Sequence, residues 1–471
     1  MDRNSDRITE LILKASKKVH KETKGNHEPE FTKIVKWPVE CIVGPGLEGA
    51  IACETNVGYV NGSKGSLIYW GYDIFDLCAY SSFEEVCYLL LHGHLPSTEQ
   101  LDIFKNKLIQ YRNTPNTTRL LMSFPVEKMN AMGALRLGTN LLRQEFTDVD
   151  QDLYVPNISE SEIISADEDS IPMETPPRGE EHAIYEFKEG LDKTEYENNF
   201  HSAIGYESCY HLIAGVSTIA AAVKRLRHGN LPIEPDPELS HAANFLYMMN
   251  GRRPSPVEER IMDVSLILHA DHGMNASTFA AMVVASTLSD IYFSVGSGIS
   301  ALNGPLHGGA NEQVLKMLLE IGGAENVDSW FDKAREAKRR IMGFGHRVYK
   351  TYDPRARVLS PLAEYLAKGN KENLNLFSTA QKLEERVVSE LGKEKKIFPN
   401  VDFYSGIVYS CLGIPIDMFT PIFAVSRVGG WTARVQEYLK NNRIFRPRAV
   451  YNGPFDKEYI PIDGRSSEEL K

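Results

Sequence analysis

Cysteine is scarce in this chain of 471 residues: Cys41, Cys53, Cys78, Cys87, Cys209 and Cys411 are all there is. No two of them form a C-x-x-C pair, and their density is far below that of a disulfide scaffold. Reduced thiols of an intracellular protein are expected. Positive charge is also in deficit, 52 Lys and Arg against 63 Asp and Glu, for a net charge of −11. That balance argues against nucleic acid or an anionic membrane as the partner of the whole chain. It leaves open a small anion held at a locally basic site. No apolar run is long enough to span a bilayer. The opening MDRNSDRITELILKASKKVHKETKGNHEPE lacks the long apolar core of a secretory leader, and Asp2, Asp6 and Glu10 do not suit an organelle transit peptide. The closing RSSEELK is no peroxisomal address. A cytoplasmic protein is the expectation.

Strand-like runs are few as well. Residues 48–73 mix β-branched and aromatic residues around NGSKG and read as one hairpin. Elsewhere the chain reads as helix after helix. Ser82 and Glu85 cap EVCYLLLH and Gly93 stops it, and Ser97 with Gln100 caps QLDIFKNKLIQYR. Ser255, Pro256 and Glu258 supply an N-cap, a proline at the first helical position and a capping-box partner. Further helices are expected in HLIAGVSTIAAAVKRLRHG, NEQVLKMLLEIGG and SWFDKAREAKRRIMG. The fold class is therefore all-α apart from the hairpin. Residues 1–30 are polar and read as a frayed or short helical extension. Residues 148–190 are acidic, proline-containing and without clear period, which is the pattern of a solvated surface insertion. A regulatory or partner-binding loop is the alternative.

Four stretches concentrate glycine, histidine and acid: LHADHGMNAS, NGPLHGGANEQV, GFGHRVYKTYDPRAR and PNVDFYSG. His307 precedes a helix, whose dipole disfavours imidazolium; it either caps that helix or, as a neutral ring, donates to a carbonyl oxygen. His346 follows a glycine turn, with Arg347, Lys350, Arg355 and Arg357 close behind. A tight turn explains it, and so does a histidine aimed at a second carbonyl. Arg355, behind Asp353-Pro354, has the fork geometry for a carboxylate. Asp402, among apolar residues, is either an N-cap or a desolvated base. His269 and His272 stand three apart on one expected helix face, with Asp271 between them. They read as metal ligands, as contacts for a keto acid, or as a buried pair; no third metal ligand stands at a familiar spacing. Arg427, in FAVSRVGGW, needs an anionic partner more than a surface arginine does. Arg446 and Arg448 follow in RIFRPRAVY.

Taken in order, LHADHGMNASTF, GPLHGGANEQVLKML, GFGHRVYKTYDPR, PNVDFYSGIVYSCLGIP, SRVGGW and NNRIFRPRAVYNGP resemble the citrate synthase family. The resemblance implies a mostly helical homodimer with two domains per subunit and an active site in the cleft between them. The large domain would comprise residues 41–306 and 412–471, with 148–190 inserted. The small domain would be 307–411, preceded overall by an extension at 1–40. It implies that oxaloacetate and acetyl-CoA condense to citrate and CoA, with acetyl-CoA as cosubstrate, no tightly bound cofactor and no metal. Matched residue by residue, His307 would bond the thioester carbonyl, Asp402 would take the methyl proton and His346 would polarise the ketone. His272, Arg355 and Arg427 would contact oxaloacetate or citrate, and Arg446 would reach across the dimer interface. Ile341, Gly343 and Gly345 would meet the adenine of CoA, with Lys350 and Asn400 as further CoA contacts. Arg434 departs from the pattern, which has histidine there. The chain also lacks a long β-rich N-terminal domain, so regulation by NADH through such a domain is not expected.

Three rival readings remain at this level. A 2-methylcitrate or longer alkylcitrate synthase differs only by methylenes in an apolar pocket, worth about 1–3 kcal/mol each. A catalytically silent homologue would serve as a binding subunit. A metallohydrolase would use His269, Asp271 and His272.

Overall fold

The computed structural model describes residues 3–26, 37–151 and 206–454, together with 459, 461 and 462. The acidic segment expected at 148–190 lies outside the described residues from 152 onward. The hairpin is present as strands β1 (Gly58–Asn61) and β2 (Ser66–Tyr69), paired antiparallel with Gly58 opposite Tyr69 and Asn61 opposite Ser66. A short β3 (Tyr72–Asp73) adds to its edge. Asn61 closes the turn, its Oδ1 accepting from the N–H groups of Ser63 (3.1 Å) and Lys64 (2.9 Å).

Helices follow the capping signals closely. The N-terminal half holds α1 (Arg3–Thr23), α2 (Ile74–Tyr80), α3 (Phe83–His92), α4 (Thr98–Tyr111), α5 (Pro115–Met122) and α6 (Ala131–Gln151). Then come α7 (Glu207–Arg227), α8 (His241–Asn250), α9 (Pro256–His269), α10 (Ala276–Ser286) and α11 (Ile291–Leu302). The last group is α12 (Ala310–Ile321), α13 (Val327–Glu336), α14 (Pro354–Ala367), α15 (Lys371–Val387), α16 (Val401–Cys411) and α17 (Phe419–Leu439). Ser97 and Gln100 form a complete capping box on α4, and Ser255 and Glu258 form another on α9. Gly93 ends α3 at φ 83°, a left-handed cap that only glycine adopts freely.

Of the two readings of the extension, frayed or short helical, the helical one holds: it is the 21-residue α1. Ile8, Ile12 and Val19 form a buried stripe on it. It lies against α2, α9 and α14, and Glu22 pairs with Arg357 of α14 at 2.6 Å.

The centre of the molecule is α17. Almost every side chain from Phe419 to Leu439 is buried, as befits a helix apolar on all sides and surrounded by others. It touches α3, α6, α7, α9, α10, α11 and α12. Two glycines permit the close approaches: a Cβ on Gly430 would run into the carbonyl of Ala270, and one on Gly429 would lie 3.1 Å from Cys87 Sγ. Arg427 and Arg434 are the cations buried in this helix. A second group of helices, α12, α14, α15 and α16, packs on itself, with α14 against α16 as its broadest seam.

Candidate active site

The turn after α9 comes first. Helix α9 stops at His269, so His269 and His272 do not share a helix face as their spacing implied; His272 lies in the turn that follows. The turn is pinned from three sides. Tyr69 Oη lies 2.9 Å from the carbonyl of Asp271 and 3.1 Å from its N–H. Asp271 binds Arg434 bidentately, at 2.6 and 2.7 Å. Asn275 caps α10, its Oδ1 accepting from the N–H groups of Ser277 and Thr278 at 3.1 Å each. His269 is fully buried and lies 2.6 Å from the carbonyl of Ser265 through Nδ1, so that nitrogen carries the proton. With Asp271 committed to Arg434, these three residues do not converge as metal ligands, and no other group of three His, Cys, Asp or Glu converges among the described residues.

His307 lies in the turn before α12. It is not the cap of that helix, a position taken by Gly309. Its Nε2 accepts from the backbone N–H of Ser277 at 3.3 Å and lies 2.9 Å from Ser277 Oγ. A backbone N–H can only donate, so Nε2 is bare and Nδ1 holds the proton. Burial, then the charge of Arg427, depresses its pKa to about 4, so the ring is neutral at pH 7.

His346 mirrors this arrangement. Its Nδ1 accepts from the N–H groups of Val348 (3.0 Å) and Tyr349 (3.2 Å), which puts the proton on Nε2. Burial is the main cause of its pKa of about 4; Arg355 and Lys350 push the same way and Asp353 opposes. The ring centroids of His346 and His272 are 5.3 Å apart, and Tyr349 contacts both. Burial and Arg355 hold His272 well below the usual histidine range.

The glycine turn before His346 is tied to the start of α16. Gly343 and Gly345 both adopt φ 80°. Gly345 N–H donates to Phe398 (2.9 Å), Asn400 N–H to Gly343 (2.9 Å) and Asn400 Nδ2 to Gly345 (2.9 Å). Asn400 is also the N-cap of α16, its Oδ1 accepting from Asp402 N–H at 3.0 Å. Asp402 is therefore not the cap, and among the described residues no hydrogen bond to its carboxylate was found. Its residue keeps partial exposure, but burial of the carboxyl outweighs the stabilising charges of Arg355 and Arg427 and lifts its pKa to about 7. That is the working range for a base.

Arg355 is buried at the first turn of α14 and forms a bidentate pair with Asp353, with Nε at 3.0 Å and Nη2 at 2.7 Å. Asp353 also accepts from Val401 N–H at 3.2 Å, which links the arginine to the helix of Asp402. Burial opposes the charge of Arg355, but Asp353 more than offsets it. Arg427 differs. Its Nε donates to the carbonyl of His269 at 2.5 Å and its guanidinium lies over Phe423, yet it has no ion pair among the described residues. Burial drags its pKa down to about 10.

Other expected residues stand apart from this group. Lys350 is exposed, with Nζ 3.1 Å from the carbonyl of Arg347. Ile341 is half-buried beside the glycine turn. Arg446 is exposed in the segment after α17. Arg434 faces neither solvent nor an open edge; it is buried in its pair with Asp271. Sequence reasoning missed Ser277, Asp353 and Tyr349 as supports. Only Asp353 carried a local signal, as an N-cap before a proline.

The arrangement combines a carboxyl able to take a proton near neutrality, two neutral histidines with one donor nitrogen each, and buried cations. It suits proton abstraction beside one carbonyl and polarisation of another, on an anionic substrate.

A family model described as citrate synthase, C-terminal domain, matches residues 46–448. Among curated relatives, the citrate synthase of Saccharolobus solfataricus is 40% identical over 426 residues, covering 90% of this chain and 100% of the other. Citrate synthase 2 of Bacillus subtilis is 40% identical over 422 residues, covering 89% and 99%. Among solved structures, citrate synthase of Pyrobaculum aerophilum aligns with a TM-score of 0.73 and 39% identity over 93% of this chain and 100% of that one. The ternary complex of Thermoplasma acidophilum citrate synthase with carboxymethyl coenzyme A and oxaloacetate aligns with a TM-score of 0.74 and 33% identity, over 90% and 100%.

Proposed function

The chain belongs to the citrate synthase family, and from that premise we propose that its cleft condenses acetyl-CoA with oxaloacetate and hydrolyses the resulting thioester to citrate and CoA. Asp402 removes a proton from the acetyl methyl group. The Nδ1–H of His307 stabilises the oxygen of the enolate that forms. The enolate carbon attacks the ketone of oxaloacetate, whose oxygen takes up negative charge against the Nε2–H of His346. Water then cleaves the citryl thioester, giving citrate and free thiol. Arg355 and Arg427 hold the carboxylates of oxaloacetate, with His272 beside them.

The observation that carries this reading is the condition of Arg427. A buried guanidinium with no carboxylate paired to it among the described residues is complete only with an anion from outside. The same cation influences the pKa values of Asp402, His307 and His272, so an anion bound there sits among all three.

The remaining assignments are part of the proposal. The set α12, α14, α15 and α16 is taken as the core of a small domain, 307–411, closing over a large domain of 41–306 and 412–471; their mutual packing supports this. The backbone of Ile341, Gly343 and Gly345, with Lys350 and Asn400, is assigned to CoA, supported by the left-handed glycines and by an exposed cation for a phosphate. A homodimer that receives Arg446 from its second subunit is supported by the exposure of Arg446 and of Ile444, Val450 and Leu306, at 61%, 86% and 92%. No described helix is long and apolar enough to cross a membrane, and the cytoplasm is the proposed location.

Thioester loss, followed by absorbance with oxaloacetate and either acetyl-CoA or propionyl-CoA, tests the reading. Faster turnover of acetyl-CoA is expected, with citrate as product; preference for propionyl-CoA overturns the acyl assignment, and inactivity with both overturns the reaction. The pH profile is a second check. Asp402 acts as a base only when ionised, so kcat/KM is expected to fall about tenfold per unit below its pKa of about 7 and to level off above it. His307 and His346, with pKa values of about 4, add no limb above pH 5 or so. Initial rates from acid to mildly alkaline pH decide this, and a flat profile through pH 7 removes Asp402 as the base.

A further inference from the structure

Outside the groups assigned to the reaction, the most heavily connected buried charge is Arg434. Its side chain makes two bonds to Asp271 and reaches Thr55 Oγ1 and the carbonyl of Gly58, both at 3.2 Å. Thr55 in turn donates to Glu437 at 2.6 Å, one helical turn beyond Arg434 on α17. The ion pair thus fastens three elements at one point: the central helix, the start of β1 and the turn after α9. Asp271 also accepts from Gly273 N–H at 3.1 Å, which fixes the turn on the far side of His272. His272 is bracketed by these two anchored residues.

We propose that Arg434 is a positioning residue for oxaloacetate. Through Asp271 it sets the height and orientation of His272 against His346 and Tyr349. The physical argument is one of geometry. Besides its ring contacts with His346 and Tyr349, His272 has one side-chain hydrogen-bond partner among the described residues, Tyr349 at 3.3 Å, too weak a contact to hold a ring unaided. Tyr69 and Asn275 also brace the backbone on either side of it, but the Asp271 carboxylate ties Gly273 N–H to Arg434 across His272, and a planar fork fits that carboxylate in one orientation. His307 is less exposed to the same displacement. Its partner Ser277 lies further from Arg434, on α10, which Asn275 caps while also bonding back to Gly273. Loss of the fork should therefore be felt by the keto acid more than by the thioester.

The test uses the full-length enzyme and depends on the condensation reading above, so the native protein is its own control: a native enzyme without activity sinks that reading, not this one. Arg434→Met alone leaves Asp271 buried and unpaired, which destabilises the fold by itself. The informative variants are Arg434→Lys, which keeps the charge and loses the fork, and the double variant Arg434→Met with Asp271→Leu, which removes both charges. Both are expected to melt close to the native temperature. Both are expected to raise the KM and the directly measured dissociation constant for oxaloacetate by about 10- to 100-fold, with the KM for acetyl-CoA changed far less. A native oxaloacetate KM in either folded variant overturns the proposal. So does an equal rise for both substrates accompanied by lower melting temperatures, which would be the mark of a structural pair. If the double variant does not fold, the lysine variant decides the question by the same criterion.

Discussion

Asp402→Asn lowers kcat by about 10³- to 10⁴-fold and leaves the dissociation constant of oxaloacetate near its native value. Asparagine is nearly isosteric, so the start of α16 keeps its shape, and the cap is made by Asn400 rather than by residue 402. What disappears is a group able to accept a proton from carbon. The substitution also removes the acid limb near pH 7 from whatever activity remains, because the titrating group is gone. Stability should move the other way. Burial lifts the pKa of Asp402 from the ordinary carboxylate value near 4 to about 7 in the fold. A raised acid pKa penalises the native state fully above the folded value, and the penalty fades as pH falls towards the unfolded one. At pH 8 the variant is therefore expected to melt higher than the native enzyme, and at pH 4 the two should converge. Measurable native-like turnover in Asp402→Asn removes the residue from the role of base.

Arg427→Met is the second large effect. The KM for oxaloacetate is expected to rise by roughly 30- to 700-fold, equivalent to about 2–4 kcal/mol for one buried charge-assisted contact. The fold should tolerate the change well. Among the described residues Arg427 has no carboxylate whose charge would be left unpaired. A buried cation replaced by an apolar side chain of similar length is often neutral or stabilising. Steady-state kinetics and a thermal melt on the same preparation separate the two effects. A variant with lost stability and an unchanged oxaloacetate KM would make Arg427 a structural cation.

Much of this architecture was legible in short local signals, because caps and glycine stops act within four residues. Ser82, Ser97 and Ser255 each stand where their helix begins. The N-terminal segment could be read only as either frayed or a short helix, because its polar composition masks a stripe of a few apolar residues, and a stripe acquires meaning only against a partner. His307, His346 and Asp402 were legible as candidates from their glycine-rich or apolar settings, but which ring nitrogen of each histidine carries the proton was not. The donors that fix it are backbone N–H groups whose positions depend on the fold. His269 and His272 illustrate the opposite failure: their spacing implied one helix face, while the helix ends between them. The pair of Arg434 with Asp271 spans 163 residues and left no local pattern at all. The hydrogen bonds between Asn400 and the glycine turn are equally non-local, separated by 55 residues.

The placement of α1 has a consequence for synthesis on the ribosome. This helix leaves the ribosome well ahead of one of its partners, α14: Glu22 and Arg357 are 335 residues apart. At about 5–20 residues per second, the apolar stripe of Ile8, Ile12 and Val19 waits roughly 15 to 70 s before that surface exists. During that interval α2 can cover part of that face and the rest stays open, the form of nascent chain that holding chaperones bind. Completion of the α1 seat then belongs among the later events of assembly, once α14 has been made.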